Sequence, residues 1–190
     1  MEIFRLIQHV KMHLKFSFDE LDRWFEKDKT ILNYKPSNGG WTVQQILEHI
    51  SLTNFYLLIL IEKGSKKAMR NYLNLDLNLE IKNYSFNKDK FDKVGEYGAF
   101  EWVRPEHMEP KGELNLNQIR SLISQQYHQC LNYLELMENG EGLLCKTTMT
   151  VNELGKINVY EYIYFLSLHA WRHLAQMKNN ELETIKNLKK

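Results

Sequence analysis

Four segments of roughly twenty residues each place apolar side chains at three- and four-residue steps, the spacing that lays one stripe along an α-helix. The first, about Glu2 to Lys27, carries Ile3, Ile7, Val10, Leu14, Phe18, Leu21 and Phe25. Thr42 opens the second with Gln45 at the capping-box position, and Gly64 is expected to end it after Lys63. Its stripe is Val43, Ile46, Ile50, Leu57 and Ile61. The third runs from about Leu116 to Glu138 with Ile119, Ile123, Cys130, Leu134 and Met137 inward. Asn158 caps the fourth, with Glu161 at the matching position and Ile163, Leu166, Ala170, Leu174 and Met177 along it. Strand signals are weak throughout. One-faced helices bury their stripes against each other, so the expected fold is all-α, a four-helix bundle forming one domain over residues 1–190.

Connection lengths speak to topology. Residues 28–41 and 139–157 are moderate loops, but 64–115 is longer than a helical hairpin needs and can carry the chain along the whole bundle. The second and third helices are then expected to run parallel. Within this connection "KKAMRNYL" reads as a short helix, and "WVRPEHMEPKG" as a turn-rich approach to the third long helix.

With a net charge of +1, the chain lacks the cationic surplus that builds a field for nucleic acid or an anionic membrane. Its longest apolar run, "FYLLILI", is too short to span a bilayer, and the N-terminus lacks a signal-peptide pattern, so a cytoplasmic location is expected. Cys130 and Cys145 have no framework spacing and read as reduced, packed thiols.

Two histidine pairs occur at i,i+4 spacing, which points both rings to one side of a helix. His9 lies about 200° around the helix from Ile7 and about 100° from Val10, so the His9/His13 pair is expected to face solvent. His169 and His173 interleave with Leu166, Ala170, Leu174 and Met177, and burial of two imidazoles demands polar partners. Hydrogen bonds alone could satisfy them. His49, on the flank of the second helix's stripe, supplies a third ring, and three neutral imidazoles suit zinc, nickel or a similar ion while leaving coordination positions open. Neither the Glu-x-x-His pair of di-iron bundles nor His-Glu-x-x-His is present. Glu48 is read as a solvated surface acid, His128 as solvated, and His107 as a turn residue at the pocket edge or in water. Tyr56 and Tyr162 could line the pocket or pack in the core.

"WTVQQILEHI", followed far downstream by "LSLHAWRHLAQM", resembles the DinB/YfiT-like superfamily of four-helix-bundle metalloenzymes. The resemblance spans nearly the whole chain, including "RPEHMEPKG". It implies up-down-down-up topology and a divalent metal, zinc or nickel, held by His49, His169 and His173. Gln176 matches the pattern's Gln, with orientation of His173 or a plain surface position as its alternative roles, and Trp41 matches its helix-opening Trp.

An open three-histidine metal acidifies water or holds a thiol as thiolate. The resemblance implies either S-transfer with a low-molecular-weight thiol, such as bacillithiol, or hydrolysis of a small-molecule substrate. It also implies a homodimer. The rival is a non-catalytic bundle that binds a small ligand or mediates dimerisation. Nucleic acid and membrane are not expected as partners, and no general acid or base is assigned.

Overall fold

Side-chain caps set where three of the four long helices begin. The computed structural model describes residues 3–102 and 105–189, so Glu2, expected to start the first helix, and Val103 and Arg104 of the proline-rich turn lie outside the described residues. Thr42 Oγ1 accepts from the Gln45 amide at 3.2 Å while Gln45 Oε1 accepts from the Thr42 amide at 3.0 Å. Asn115 with Gln118 and Asn158 with Glu161 repeat this reciprocal arrangement.

Seven α-helices follow among the described residues: α1 Ile3–Trp24, α2 Lys29–Asn33, α3 Val43–Asn71, α4 Leu77–Asn83, α5 Lys88–Gly95, α6 Leu116–Leu136 and α7 Val159–Leu188. The core lies between the four long ones: α1 packs on α7 and α6, and α3 packs on α6 and α7. Leu6, Val10 and Leu14 of α1, Ile46 and Ile50 of α3, Ile119, Cys130 and Leu134 of α6, and Ile163, Leu166, Ala170 and Met177 of α7 are fully buried. Each large aliphatic side chain so buried contributes about 1.5–3 kcal/mol relative to exposure. Both cysteines are buried and free, and burial pushes the Cys130 thiol up to about 12. No helix among the described residues is long and apolar enough to cross a membrane.

Several expectations are corrected. Gly64 does not end α3, which continues to Asn71, so "KKAMRNYL" begins inside it; the short helices of the connection are α4 and α5. The glycine marks a close approach instead, since a Cβ there would stand 3.2 Å from Val159 Cγ2. Two strands, β1 Lys146–Met149 and β2 Gly155–Asn158, pair antiparallel with Lys146 opposite Asn158. Four residues per strand are too few to display an alternation. His9 and His13 are half-buried rather than solvated, because α7 packs across that flank of α1. His9 Nε2 lies 3.1 Å from the Tyr164 hydroxyl, and His13 Nδ1 lies 2.9 Å from Ser167 Oγ.

Candidate metal centre

Three turns of α3 and α7 converge. His49 comes from the second turn of α3, and His169 and His173 from successive turns in the middle of α7. All three rings are buried, at 4%, 3% and 8% exposure, and one ligand nitrogen from each lies within 4.8 Å of the others. His169 Nε2 and His173 Nε2 are 3.2 Å apart. That separation is close to the edge of a tetrahedron of about 3.3 Å set by Zn–N distances of about 2.0–2.1 Å.

Neighbouring acceptors fix the tautomers. His49 donates Nδ1–H to the Met108 carbonyl oxygen at 2.7 Å, and His173 donates Nδ1–H to Gln176 Oε1 at 2.8 Å. Each bond leaves the Nε2 lone pair for a cation, the arrangement in which a second group orients a metal-binding imidazole. Burial, reinforced by His173, His49 and Arg172, holds the His169 ring well below the ordinary histidine range, so it is neutral near pH 7. Its Nδ1 is buried with no hydrogen-bond partner among the described residues. Three buried rings with converging nitrogens fit a divalent metal.

Glu48 anchors the backbone that follows Met108. Rather than facing solvent, Glu48 is 3% exposed, because residues 105–112 fold over its side of α3. Its carboxylate accepts from the Lys111 amide at 3.2 Å and the Gly112 amide at 2.9 Å. Trp41 stands with its ring centroid 4.7 Å from that of His49, and its carbonyl accepts from Asn180 Nδ2 at 2.8 Å, tying the approach to α3 onto α7.

Beside the rings is a cavity of about 280 Å³ lined by Trp41, Tyr97, Phe100, Trp102, Arg172 and Gln176 together with the three histidines and Glu101. Sequence reasoning missed Tyr97, Phe100, Trp102 and Met108, which lie in the long connection where no periodicity places a side chain. Arg172 was within reach of the helical period, being one turn from His169. Tyr162 and Tyr56 do not line this cavity: Tyr162 is buried and donates to the Thr148 carbonyl, and Tyr56 packs on the exposed His107 at 4.4 Å between centroids. His128 is exposed, as expected.

No curated protein and no solved structure matches the chain. The family model of the DinB superfamily matches residues 13–177, a span that contains all three converging histidines and Gln176. On that match over most of its length, the chain belongs to the DinB superfamily.

Proposed function

We propose that the protein is a divalent-metal-dependent enzyme acting on a small molecule, with His49, His169 and His173 as the metal ligands. The observation that carries this reading is the pairing of converging Nε2 lone pairs with acceptors already placed on Nδ1 of His49 and His173. A bound ion with open positions would supply either water acidified toward neutral pH or a thiol held as thiolate, chemistry suited to hydrolysis or to S-transfer from a bacillithiol-like thiol.

The chain's own residues perform the remaining work. Gln176 holds the His173 proton on Nδ1, and the Met108 carbonyl does the same for His49. Trp41 and Trp102 wall the cavity and limit water around the rings. The helix contacts and the length of the connection support an up-down-down-up four-helix bundle as a single domain over residues 1–190. A small-molecule partner, a cytoplasmic location and a homodimer belong to the same proposal; nucleic acid and membrane do not.

The test is elemental analysis of protein purified without an affinity tag. About one equivalent of zinc or nickel, lost in His49→Ala, is the expected result. Metal-free protein whose melting ignores both chelator and added zinc overturns the reading. Thiol-conjugation and hydrolase panels, run with and without the ion, then separate the two reaction classes.

A further inference from the structure

The cavity beside the histidines contains a cation with no anionic partner among the described residues. Arg172 is half-buried, and its guanidinium carbon lies 5.0 Å from the Trp102 ring centroid, 5.5 Å from Tyr97 and 5.8 Å from Phe100. One of its amino groups, Nη1, donates to the Glu96 carbonyl at 2.9 Å. No carboxylate among the described residues forms an ion pair with it, although Glu101 lines the same cavity. A guanidinium offers five N–H donors in one plane. Aromatic rings around it fix that plane, and the single carbonyl leaves most of its donors unused.

Two residues that line the cavity also carry a buried nitrogen with no acceptor among the described residues. Trp102 Nε1 and His169 Nδ1 are both buried without a hydrogen-bond partner among the described residues. Indole Nε1–H only donates, and His169 carries its proton on Nδ1 when its Nε2 lone pair faces a cation. Buried donors without acceptors are costly.

We propose that Arg172 is a specificity-determining residue that receives a carboxylate of the substrate or of a carboxylated co-substrate, placing that molecule beside the three histidines. The planar fork matches a planar carboxylate through two parallel hydrogen bonds. A single guanidinium with Glu101 at the same cavity suits a monoanion better than a phosphate dianion. This proposal rests on the reading of the cavity as a reaction site, and it adds the chemical class of what enters.

The test uses the full chain, both loaded with zinc and stripped by chelator, titrated with 3-phenylpropionate, 3-phenylpropionamide and inorganic phosphate while tryptophan fluorescence and calorimetry are followed. The acid is expected to bind at least tenfold more tightly than the amide. Arg172→Gln should weaken the acid about ten- to hundredfold, the effect of removing a charged hydrogen-bond partner, and Arg172→Lys should recover part of the loss. Equal binding of acid and amide, phosphate binding as tight as the carboxylate, or an acid affinity unchanged in Arg172→Gln each overturns the proposal. The comparison of acid with amide on the unmodified protein holds even if a variant folds poorly. Metal content measured in parallel separates the two ideas: carboxylate preference without a histidine-bound metal sinks the metal reading alone, and metal without carboxylate preference sinks this one alone.

Discussion

His49 on α3 and Met108, 59 residues later in the chain, share a hydrogen bond of 2.7 Å from ring Nδ1 to backbone carbonyl. One partner sits on a rigid helix and the other on a turn, so the direction of the His49 lone pair depends on how firmly that turn is held.

Glu48 does the holding, through the Lys111 and Gly112 amides. In Glu48→Gln one carboxylate oxygen becomes an amino group facing an N–H donor. We expect metal affinity to fall about tenfold, within the range for groups that orient metal ligands, and stability to fall by about 1–3 kcal/mol. Competition with a chromophoric chelator and denaturant titration measure the two effects.

Gln176 plays the corresponding part for His173. Gln176→Ala should lower metal affinity by about tenfold while leaving all three imidazoles in place. Gln176→Glu keeps an acceptor at the same reach and is expected to retain or raise affinity. An alanine variant that binds zinc as the unmodified protein does would return Gln176 to an ordinary surface position.

A cation shared by His49 and the α7 pair would tie α3 to α7 and so link metal binding to folding. Free zinc at about a hundredfold excess over its dissociation constant should add about 2.7 kcal/mol to stability. The rise in Tm should vanish in His49→Ala. Thermal melts with zinc and with chelator provide the check.

His13, half-buried against Tyr164 and Trp171, has its pKa lowered to about 4 by burial, with His9 adding and Asp92 opposing. Unfolding restores a pKa near 6.5, so below that pH the unfolded chain binds the extra proton. The stability involved is complete above pH 6.5 and drains away as pH falls toward 4. Chelator-treated protein should therefore unfold at lower denaturant concentration at pH 5 than at pH 7, and His13→Gln should narrow the gap. His9 and His169 are shifted in the same direction, so the gap should narrow without closing.

Gly142 lies against the buried Tyr160 ring, where an added Cβ would stand 2.7 Å from two ring carbons. The ring cannot retreat easily, because its hydroxyl accepts from the Gly142 amide at 3.0 Å and donates to the Met137 carbonyl. Gly142→Ala should cost about 1–3 kcal/mol, visible in chemical denaturation, with zinc stoichiometry unchanged.

Helical periodicity made the inward faces of His169 and His173 legible, and it placed His49 on a flank that could reach them. The same arithmetic failed for His9 and His13. A stripe drawn through Ile7 and Val10 is narrower than the surface α7 covers on α1, and Tyr164 and Ser167 extend the buried zone to both rings. Glu48 was misread for a related reason: its helix direction was right, but whether that direction meets water depends on the course of residues 105–112. Arg172 was visible as a residue on the fourth helix, yet its role depends on Tyr97, Phe100 and Trp102 arriving from a connection with no period. Gly64 shows the limit of local propensity, since it lies inside α3 where Val159 approaches.

The cavity draws on two kinds of chain. Its imidazoles stand on α3 and α7, whereas Tyr97, Phe100 and Trp102 come from the segment joining α5 to α6. Exchanging residues 97–102 alone, with the Met108 turn kept, would change which molecules gain admission while leaving the nitrogen donors at their posts. The framework thus lends itself to diversification, with a stationary reagent behind a replaceable door.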